Sequence, residues 1–273
     1  MTLKEFIKKY INILNKKGIG NPLYFVAKLI SEITAIPISK ILIDDNFIID
    51  NKLDKKLRKI IIDDYPLEYI TNKVTFYDYE FYVDNNVLIP RVETEDLINI
   101  AKEIIQKYNY KYIMDIGTGS GVIAIILKKI FPNIIVYSTD ISKDALKVAV
   151  KNAKIHNVEI NFIHSNIFEN VPENIIEKIQ FIVSNPPYVE SEYYYNNPSL
   201  KHEPKIALEA GSDGQDFFRE LVKYKKILKK HMLFETTEFN IDKTAKILSE
   251  YGKIKIYNDS FGVKRFVEKE GEL

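Results

Sequence analysis

Four consecutive residues, Asn185-Pro186-Pro187-Tyr188, follow a short apolar run that is typical of a buried strand. Two prolines in a row fix the backbone and donate no amide hydrogen, so the Asn185 side-chain oxygen and the Pro186 carbonyl form rigid acceptors. Such acceptors suit the hydrogens of an NH2 group, and Tyr188 would lie against its flat face. The pattern predicts methyl transfer to a planar nitrogen. The simpler alternative is a strand-ending turn with an incidental Asn and Tyr.

A second candidate site is a glycine loop between an apolar strand and an apolar helix. Its three glycines, Gly117, Gly119 and Gly121, allow a tight turn and bring backbone amides at the helix N terminus close to a ligand. Their spacing differs from the dinucleotide fingerprint, which favours a smaller nucleoside ligand. The next strand ends at Asp140, about 20 residues on, where a carboxylate binds ribose hydroxyls. Alternatively, the glycines only turn the chain and Asp140 only caps a helix.

The elements around these motifs alternate between apolar strand and helix from residue 112 onward, which predicts an α/β fold with a parallel sheet. A third strand, at about 160–163, would bring Asn166 and Ile167 to the same sheet edge, where they could hold an adenine. The last part of the chain is expected to form two strands joined by a loop.

The first 64 residues have a different pattern, with apolar residues at helical spacing. Two helices are predicted before Pro37, followed by helices at about 38–43 and 50–64. Residues 74–83 are rich in aromatic and β-branched residues and are typical of a hairpin or linker strands. We therefore expect a small helical bundle and a domain boundary near 75–90.

Composition excludes several classes of site. The chain has 273 residues and a net charge of +1, so no global field favours nucleic acid or an anionic membrane. It has no Cys, which excludes disulfides, thiolate zinc sites and cysteine nucleophiles. The four His are scattered without metal-ligand spacing or a partnered nucleophile, so neither a metal nor hydrolase chemistry is expected. No apolar run is as long as a membrane span, and we expect a cytoplasmic protein.

Together these motifs resemble the release factor glutamine methyltransferase family, within the class I S-adenosylmethionine-dependent methyltransferases. The resemblance covers nearly the whole chain and includes further parts of the family pattern: Leu88-Ile89-Pro90-Arg91, Glu93-Thr94-Glu95, Glu203-Pro204, Ala207-Leu208, Gly211 and Gly214. It implies a Rossmann-like, seven-stranded, mostly parallel sheet. The implied domains are a helical substrate-docking domain over 1–73, a β-hairpin linker over 74–90 and the methyltransferase domain over 91–273.

The resemblance also implies the reaction. Members methylate the side-chain amide nitrogen (N5) of the glutamine in the Gly-Gly-Gln motif of class I peptide chain release factors, using S-adenosylmethionine, giving S-adenosylhomocysteine and needing no metal. The implied catalytic residues are Asn185, Pro186 and Tyr188, and Pro187 and Arg91 join them in binding the substrate. The implied cofactor-binding residues are Asp115, Gly117, Thr118, Gly119, Ser120, Gly121, Asp140, Ile141, Asn166, Ile167 and Asn185. We expect a monomer that does not bind nucleic acid directly.

The sequence departs from the family pattern at a few positions. Asn166 stands where aspartate is usual, so a contact with the adenine edge would lose its charge but keep an oxygen acceptor. The segment 235–238, Glu-Thr-Thr-Glu, replaces a turn that contains glycine. Val92 replaces a common proline, and Asn72 a common glycine.

Two other functions are left open by the motifs. The same tetrapeptide suits the amino group of adenine (N6) or guanine (N2) in DNA or RNA, although such enzymes need a base-flipping pocket and a basic docking surface. A non-catalytic binding module is the third possibility, against which the intact glycine loop and tetrapeptide argue. Two surface features could contact a partner, namely Tyr193-Tyr194-Tyr195 and the lysine-rich run 223–230, expected on an amphipathic helix. The simpler interpretation is a loop packed on the surface for the tyrosines and a solvated helix face for the lysines.

Overall fold

The computed structural model describes residues 1–44 and 46–272. It divides into two compact units, Met1–Asn72 and Lys73–Leu273. The first unit is helical, and the second contains both sheets. Within the described ranges, no helix is both long enough and apolar enough to cross a membrane.

The first unit is a bundle of short amphipathic helices around one apolar core. Thr2 and Glu5 form a capping box at the start of the first helix, and Phe6, Leu14 and Ile30 are fully buried in the core. The helices predicted from apolar spacing are present, and one more follows them whose five residues are too few to give a periodic pattern. The bounds are α1 Leu3–Lys16, α2 Pro22–Thr34, α3 Ile38–Ile43, α4 Asn51–Asp63 and α5 Leu67–Thr71.

The second unit begins with an antiparallel hairpin of β1 (Lys73–Phe76) and β2 (Tyr79–Tyr82). The two turn residues, Tyr77 and Asp78, both have a left-handed backbone, although neither is glycine. A two-residue hairpin turn needs this backbone so that its twist matches the twist of the two strands. The buried Asn152 side chain accepts from the Tyr82 amide at 2.8 Å and donates to the Tyr82 carbonyl at 2.9 Å and to the Ser120 carbonyl at 2.8 Å. One side chain thus ties the hairpin to the glycine loop.

The main sheet has seven strands in the order β5-β4-β3-β6-β7-β9-β8. Five strands are parallel, and β9 lies antiparallel between β7 and β8. The sheet confirms the expectation of a seven-stranded, mostly parallel arrangement. The bounds are β3 Tyr112–Ile116, β4 Ile135–Asp140, β5 Asn161–His164, β6 Phe181–Ser184, β7 His231–Glu235, β8 Ile254–Asn258 and β9 Lys264–Lys269.

Helices cover both faces of the sheet, each over its own apolar cluster. Residues of α6, α7 and α8 belong to one cluster, and residues of α9, α11 and α12 to the other. Because both faces are covered, the central strands are buried along their whole length rather than at alternate residues. The bounds are α6 Glu93–Tyr108, α7 Val122–Ile130, α8 Lys143–Ile155, α9 Glu173–Lys178, α10 Ser191–Asn196, α11 Asp216–Leu221 and α12 Ile241–Ser249.

The lysine-rich run does not form the amphipathic helix that was expected, and that prediction was wrong. Helix α11 ends at Leu221, and only a short 3₁₀ helix, Lys225–Lys229, follows. Its buried residues are the adjacent Ile227 and Leu228, which do not define a stripe at helical spacing. Lys226 pairs with Glu173, so the run forms a solvated, charge-paired surface.

The order of the strands reverses between β3 and β6, since β4 and β5 lie on one side of β3 and β6 on the other. In open α/β sheets, ligands bind at such a switch point, outside the carboxyl ends of the strands. The glycine loop follows β3 and the tetrapeptide follows β6, and Ser184 Oγ donates to the Ile116 carbonyl at 2.6 Å. The fold therefore places the two candidate motifs side by side.

Candidate active site

A cavity of about 320 Å³ opens at this switch point, within the range of about 300–1,000 Å³ common for small-molecule sites. Most of the predicted site residues line it: Gly117, Thr118, Gly119, Ser120, Asp140, Ile141, Asn166, Ile167, Asn185 and Pro187. Five predicted residues are not part of the lining: Arg91, Asp115, Gly121, Pro186 and Tyr188. The structure thus brings both motifs to one cavity, and the five remaining predicted residues lie outside the cavity lining.

The glycines of the loop shape the cavity in two ways. Gly117 and Gly119 have φ angles of 67° and 53°, and a Cβ on either would project into open space. Gly121 (φ 86°) is different, because a Cβ there would lie 3.2 Å from the Ala149 Cβ on α8. The first two glycines therefore keep the floor of the cavity open, and the third lets the loop pack on its neighbouring helix.

Asp140 is held at the end of β4 by two backbone amides. Its Oδ2 accepts from Gly119 N at 2.9 Å, and its Oδ1 accepts from Ser142 N at 2.8 Å. Burial raises the pKa of Asp140, and both hydrogen bonds act in the opposite direction. The cap of α8 is Ser142, whose Oγ accepts from Ala145 N at 3.1 Å, so Asp140 does not cap the helix. Its carboxylate lines the cavity instead.

Asp115 lies behind the glycine loop. It is fully buried, and its Oδ2 accepts a hydrogen bond of 2.6 Å from the Thr118 hydroxyl, while Oδ1 has no hydrogen bond from any described residue. Burial raises the pKa of Asp115 to about 7, and the neighbouring Asp140 adds to the shift. Asp115 therefore braces the loop through Thr118 rather than facing the cavity.

Part of the cavity lining is suited to a flat base. The side chains of Ile141 and Ile167 provide apolar surface, and Asn166 provides a polar one. Ile167 adopts a left-handed backbone (φ 48°), which an isoleucine rarely does. These surfaces, the Asp140 carboxylate and the open glycine backbone fit a nucleoside cofactor such as S-adenosylmethionine.

Asn185, which also lines the cavity, is fixed by α6. Its Nδ2 donates to Thr94 Oγ1 at 3.1 Å, and Asn185 and Thr94 both line the cavity. This hydrogen bond uses the donor side of the amide and leaves Oδ1 as an acceptor. Pro186 is buried, so the backbone that follows Asn185 is rigid. The tetrapeptide thus presents an oxygen acceptor to the cavity.

Tyr188 is anchored at both ends. Its carbonyl accepts from Asn240 Nδ2 at 2.9 Å, and its hydroxyl donates to Glu235 Oε1 at 3.4 Å. Burial and the nearby Glu235 raise its pKa, so the phenol stays protonated. A Cβ on Gly214 (φ 71°) would lie 2.5 Å from the Tyr188 carbonyl oxygen, which only glycine avoids.

Arg91 is engaged in an ion pair with Glu203. Glu203 is buried, and its other oxygen accepts from Ile89 N at 3.0 Å. The Glu203 carboxylate therefore joins two segments that are far apart in the chain. One precedes β3, and the other follows β6. Arg91 fixes the segment before α6 rather than reaching into the cavity.

Two buried polar residues at the site were not predicted as site residues. Thr94, in the first turn of α6, contacts Asn185, and Glu235, the last residue of β7, contacts Tyr188. One signal could have found Glu235: it is a carboxylate at the end of an apolar strand, and parallel strands end at the edge where ligands bind. For Thr94 the signal was its place in Glu93-Thr94-Glu95, a part of the family pattern to which no role was assigned.

Comparison with known proteins gives a consistent result. Residues 98–251 match the family described as the methyltransferase small domain. The release factor glutamine methyltransferase of Dictyoglomus turgidum is 37% identical over 233 residues, covering 82% of each chain. That of Flavobacterium psychrophilum is 31% identical over 279 residues, covering 97% of this chain and 96% of the relative. The fold also resembles the hMettl16 catalytic domain bound to a MAT2A 3′UTR hairpin, with 12% identity, a TM-score of 0.56 and coverage of 91% and 90%.

Proposed function

Because the chain belongs to the release factor glutamine methyltransferase family, we propose that it transfers a methyl group from S-adenosylmethionine to the side-chain amide nitrogen (N5) of the Gly-Gly-Gln glutamine of class I peptide chain release factors. The relatives confirm the family to which the motifs pointed. The observation that carries the proposal is the placement of Asn185, with a free oxygen acceptor, beside a cavity that fits the cofactor.

The cofactor would be held by the glycine loop and the end of β4. Of the residues that line the cavity, the Asp140 carboxylate would accept hydrogen bonds from the ribose hydroxyls, and Ile141, Ile167 and Asn166 would hold the adenine through apolar and polar contacts. When bound, S-adenosylmethionine supplies a methyl group on a positively charged sulfur that is a good leaving group. Removal of the donor from water among these apolar residues also protects it from hydrolysis.

The tetrapeptide would hold the glutamine amide. From the cavity lining, Asn185 Oδ1 accepts one hydrogen of the amide NH2, and the second acceptor implied by the tetrapeptide is the carbonyl of Pro186, although Pro186 is not itself part of that lining. Together they orient the nitrogen and favour a pyramidal, nucleophilic geometry. Pro187, which lines the cavity, restricts the space around the amide group and excludes water, while the anchored Tyr188 fixes the end of the tetrapeptide. In this arrangement catalysis rests on position and hydrogen-bond acceptance, and no base need remove a proton before the attack.

The first prediction concerns the substrate itself. Incubation of the protein with S-adenosylmethionine and a purified class I release factor is expected to add one methyl group to the Gly-Gly-Gln peptide, because the chain belongs to the release factor glutamine methyltransferase family. Peptide mass spectrometry locates the modification, and a release factor with that glutamine changed to alanine is the control. Methyl groups found only on added DNA or RNA would instead support the amino-group methyltransferase of nucleic acid.

We further propose that the helical unit, residues 1–72, docks the release factor. Two isoleucines of this unit are unusually exposed: Ile43, at 82%, and Ile48, at 62%. Between them in the chain, Phe47 N donates to the Asp44 carbonyl at 3.0 Å. Exposed apolar side chains close together in the chain favour a protein contact over solvent. The exposed Tyr193 and Tyr195, after the tetrapeptide, are the alternative contact.

Changing Ile43 and Ile48 together to Ser is expected to raise the KM for the release factor about tenfold or more, since burial of one isoleucine is worth about 1.5 kcal/mol or more. The value of kcat and the affinity for S-adenosylmethionine should not change. Initial rates over a range of release factor concentrations test this. The matched variant carries Tyr193→Ser and Tyr195→Ser, and an effect on KM in that variant alone would move the docking contact to the tyrosines.

A further inference from the structure

Within the described residues, two of the 15 phenylalanines have exposed side chains: Phe239, at 80%, and Phe261, at 68%. Single apolar side chains on a surface are common and need no function. These two, however, lie at the same edge of the main sheet. Phe239 follows β7, and Phe261 lies in the loop between β8 and β9, which meets that edge because β9 runs antiparallel to both strands. This is the edge at which the cavity opens.

The loop that carries Phe261 is held by the buried Asp259. Its Oδ1 accepts from Phe261 N at 3.0 Å and from Val263 N at 2.9 Å. Its Oδ2 accepts from Arg265 Nε at 2.7 Å. The exposed ring is therefore carried by a turn whose backbone is already fixed, so a partner that covers the ring pays little to order the loop.

This loop is also bonded to the helix that fixes the tetrapeptide. Ser260 N, next to Phe261, donates to Asp96 Oδ2 on α6 at 2.8 Å. The first turn of the same helix contains Thr94, which accepts from Asn185 Nδ2 at 3.1 Å. One helix therefore fixes both the loop of Phe261 and the first residue of the tetrapeptide.

Phe239 is connected to the other end of the tetrapeptide. The next residue, Asn240, donates from Nδ2 to the Tyr188 carbonyl at 2.9 Å. The segment before Phe239 is bonded to β9, since Thr236 N donates to the Arg265 carbonyl at 2.8 Å. The two exposed rings thus stand on two segments that are each bonded to the surroundings of the tetrapeptide.

The acceptor group has to pass this surface. Neither phenylalanine is part of the cavity lining, whereas Asn185 is. A glutamine side chain is short, so its main chain must remain outside the cavity when its amide reaches Asn185. Two glycines precede the glutamine in the Gly-Gly-Gln motif, and because they have no side chains an aromatic ring can approach their backbone closely.

The charges near the two rings favour a polypeptide over nucleic acid. Exposed aromatic rings can stack on bases, but proteins bind single strands in positively charged grooves. The first turn of α6 instead carries three carboxylates, and the exposed Glu238 precedes Phe239. Of the two cations that begin β9, Arg265 is ion-paired, and Lys264 adds one positive charge. A phosphate backbone would therefore meet more negative than positive charge here.

We propose that Phe239 and Phe261 form an apolar rim that contacts the main chain of the release factor beside its acceptor glutamine. The identity of this partner rests on the proposed function. Contact with the rim holds the glutamine backbone outside the cavity while its amide reaches Asn185. The rim is thus a binding surface for the Gly-Gly-Gln loop, separate from the docking contact proposed for the helical unit.

Photo-cross-linking tests which segment lies on the rim. The full chain carries p-benzoylphenylalanine in place of Phe239 or Phe261 and is irradiated with a purified class I release factor and S-adenosylhomocysteine, so that no turnover is needed. Peptide mass spectrometry is expected to find the cross-links at residues next to the Gly-Gly-Gln motif. The control carries the same group at Ile155, which is 52% exposed at the end of α8, on the opposite edge of the sheet. It should give no such cross-links.

Kinetics provides the second readout. Phe239→Ala and Phe261→Ala should each raise the KM for the release factor about tenfold, because each variant loses a phenylalanine side chain that binding would bury. Ile155→Ala should leave the KM unchanged. Because all three side chains are exposed, the affinity for S-adenosylmethionine and the midpoint of thermal unfolding should change little in each variant.

The outcomes separate this inference from the proposed function. Cross-links absent, confined to other parts of the release factor, or formed only with added single-stranded RNA would overturn the inference, as would an unchanged KM in both phenylalanine variants. Methylation of the glutamine would in those cases still support the proposed function. Cross-links beside Gly-Gly-Gln in a protein that transfers no methyl group to the release factor would support the rim and contradict the proposed function.

Discussion

Replacing Asn185 with Ala is expected to lower kcat by about 100-fold to 1,000-fold or more, the cost of removing one preorganised hydrogen-bonding group from an active site. The variant loses the oxygen that accepts from the glutamine NH2, so the nitrogen is neither oriented nor pyramidal. Cofactor affinity should remain close to that of the wild-type protein, because Asp140 and the glycine loop are untouched. Single-turnover rates with release factor measure the first effect, and calorimetry with S-adenosylmethionine measures the second.

A matched control for this variant is Asn161→Ala on the edge strand β5. Asn161 also uses its amide, donating to the Val136 carbonyl at 3.1 Å, but it does not line the cavity. Loss of an asparagine amide at that position should leave kcat unchanged. Near wild-type rates in Asn185→Ala would mean that the amide does not bind the acceptor, and the mechanism would have to be abandoned.

Replacing Asp140 with Ala should weaken S-adenosylmethionine binding by about 100-fold, because each hydrogen bond to a charged group is worth about 1.5–3 kcal/mol. Two effects combine in this variant. The ribose hydroxyls lose their acceptor. The glycine loop loses the hydrogen bond of 2.9 Å from Gly119 N to Asp140 Oδ2. Titration calorimetry with the cofactor and with S-adenosylhomocysteine gives the affinities directly.

Asp144→Ala provides the comparison for the Asp140 variant. Asp144 lies four residues further on, in the first turn of α8, and forms an exposed ion pair of 2.7 Å with Lys147. Exposed pairs of this kind contribute little to stability, so the cofactor affinity should be unaffected. If Asp140→Ala bound S-adenosylmethionine as tightly as Asp144→Ala, the ribose contact assigned to Asp140 would be refuted.

The parts of the site that the sequence predicted are those carried by local motifs. The glycine loop and the tetrapeptide each follow an apolar strand, and parallel strands end at one sheet edge, so their proximity follows from the order of elements. Asp140 was predicted for the same reason. The short helix α5 was missed because it is too short to show an apolar period. The run 223–230 was wrongly assigned to an amphipathic helix, because its few apolar residues do not distinguish a short 3₁₀ helix from a longer α-helix.

The contacts that fix the orientation of the site residues could not be predicted in the same way. Thr94 and Asn185 are 91 residues apart, and Tyr188 and Glu235 are 47 apart. Which side chains meet across such separations depends on register and packing, which no local pattern specifies. Arg91 illustrates the point, since its charge suggested a substrate contact and the buried Glu203 engages it instead.

The Asn152 side chain links the β1–β2 hairpin of the methyltransferase to its glycine loop. Its three hydrogen bonds, two to Tyr82 and one to the Ser120 carbonyl, cannot all be kept if either segment moves alone. A ligand that displaces the hairpin must therefore also change the free energy of the glycine loop. Thermodynamic linkage makes this effect reciprocal: by whatever factor such a ligand alters the affinity for S-adenosylmethionine, the cofactor alters the affinity for that ligand.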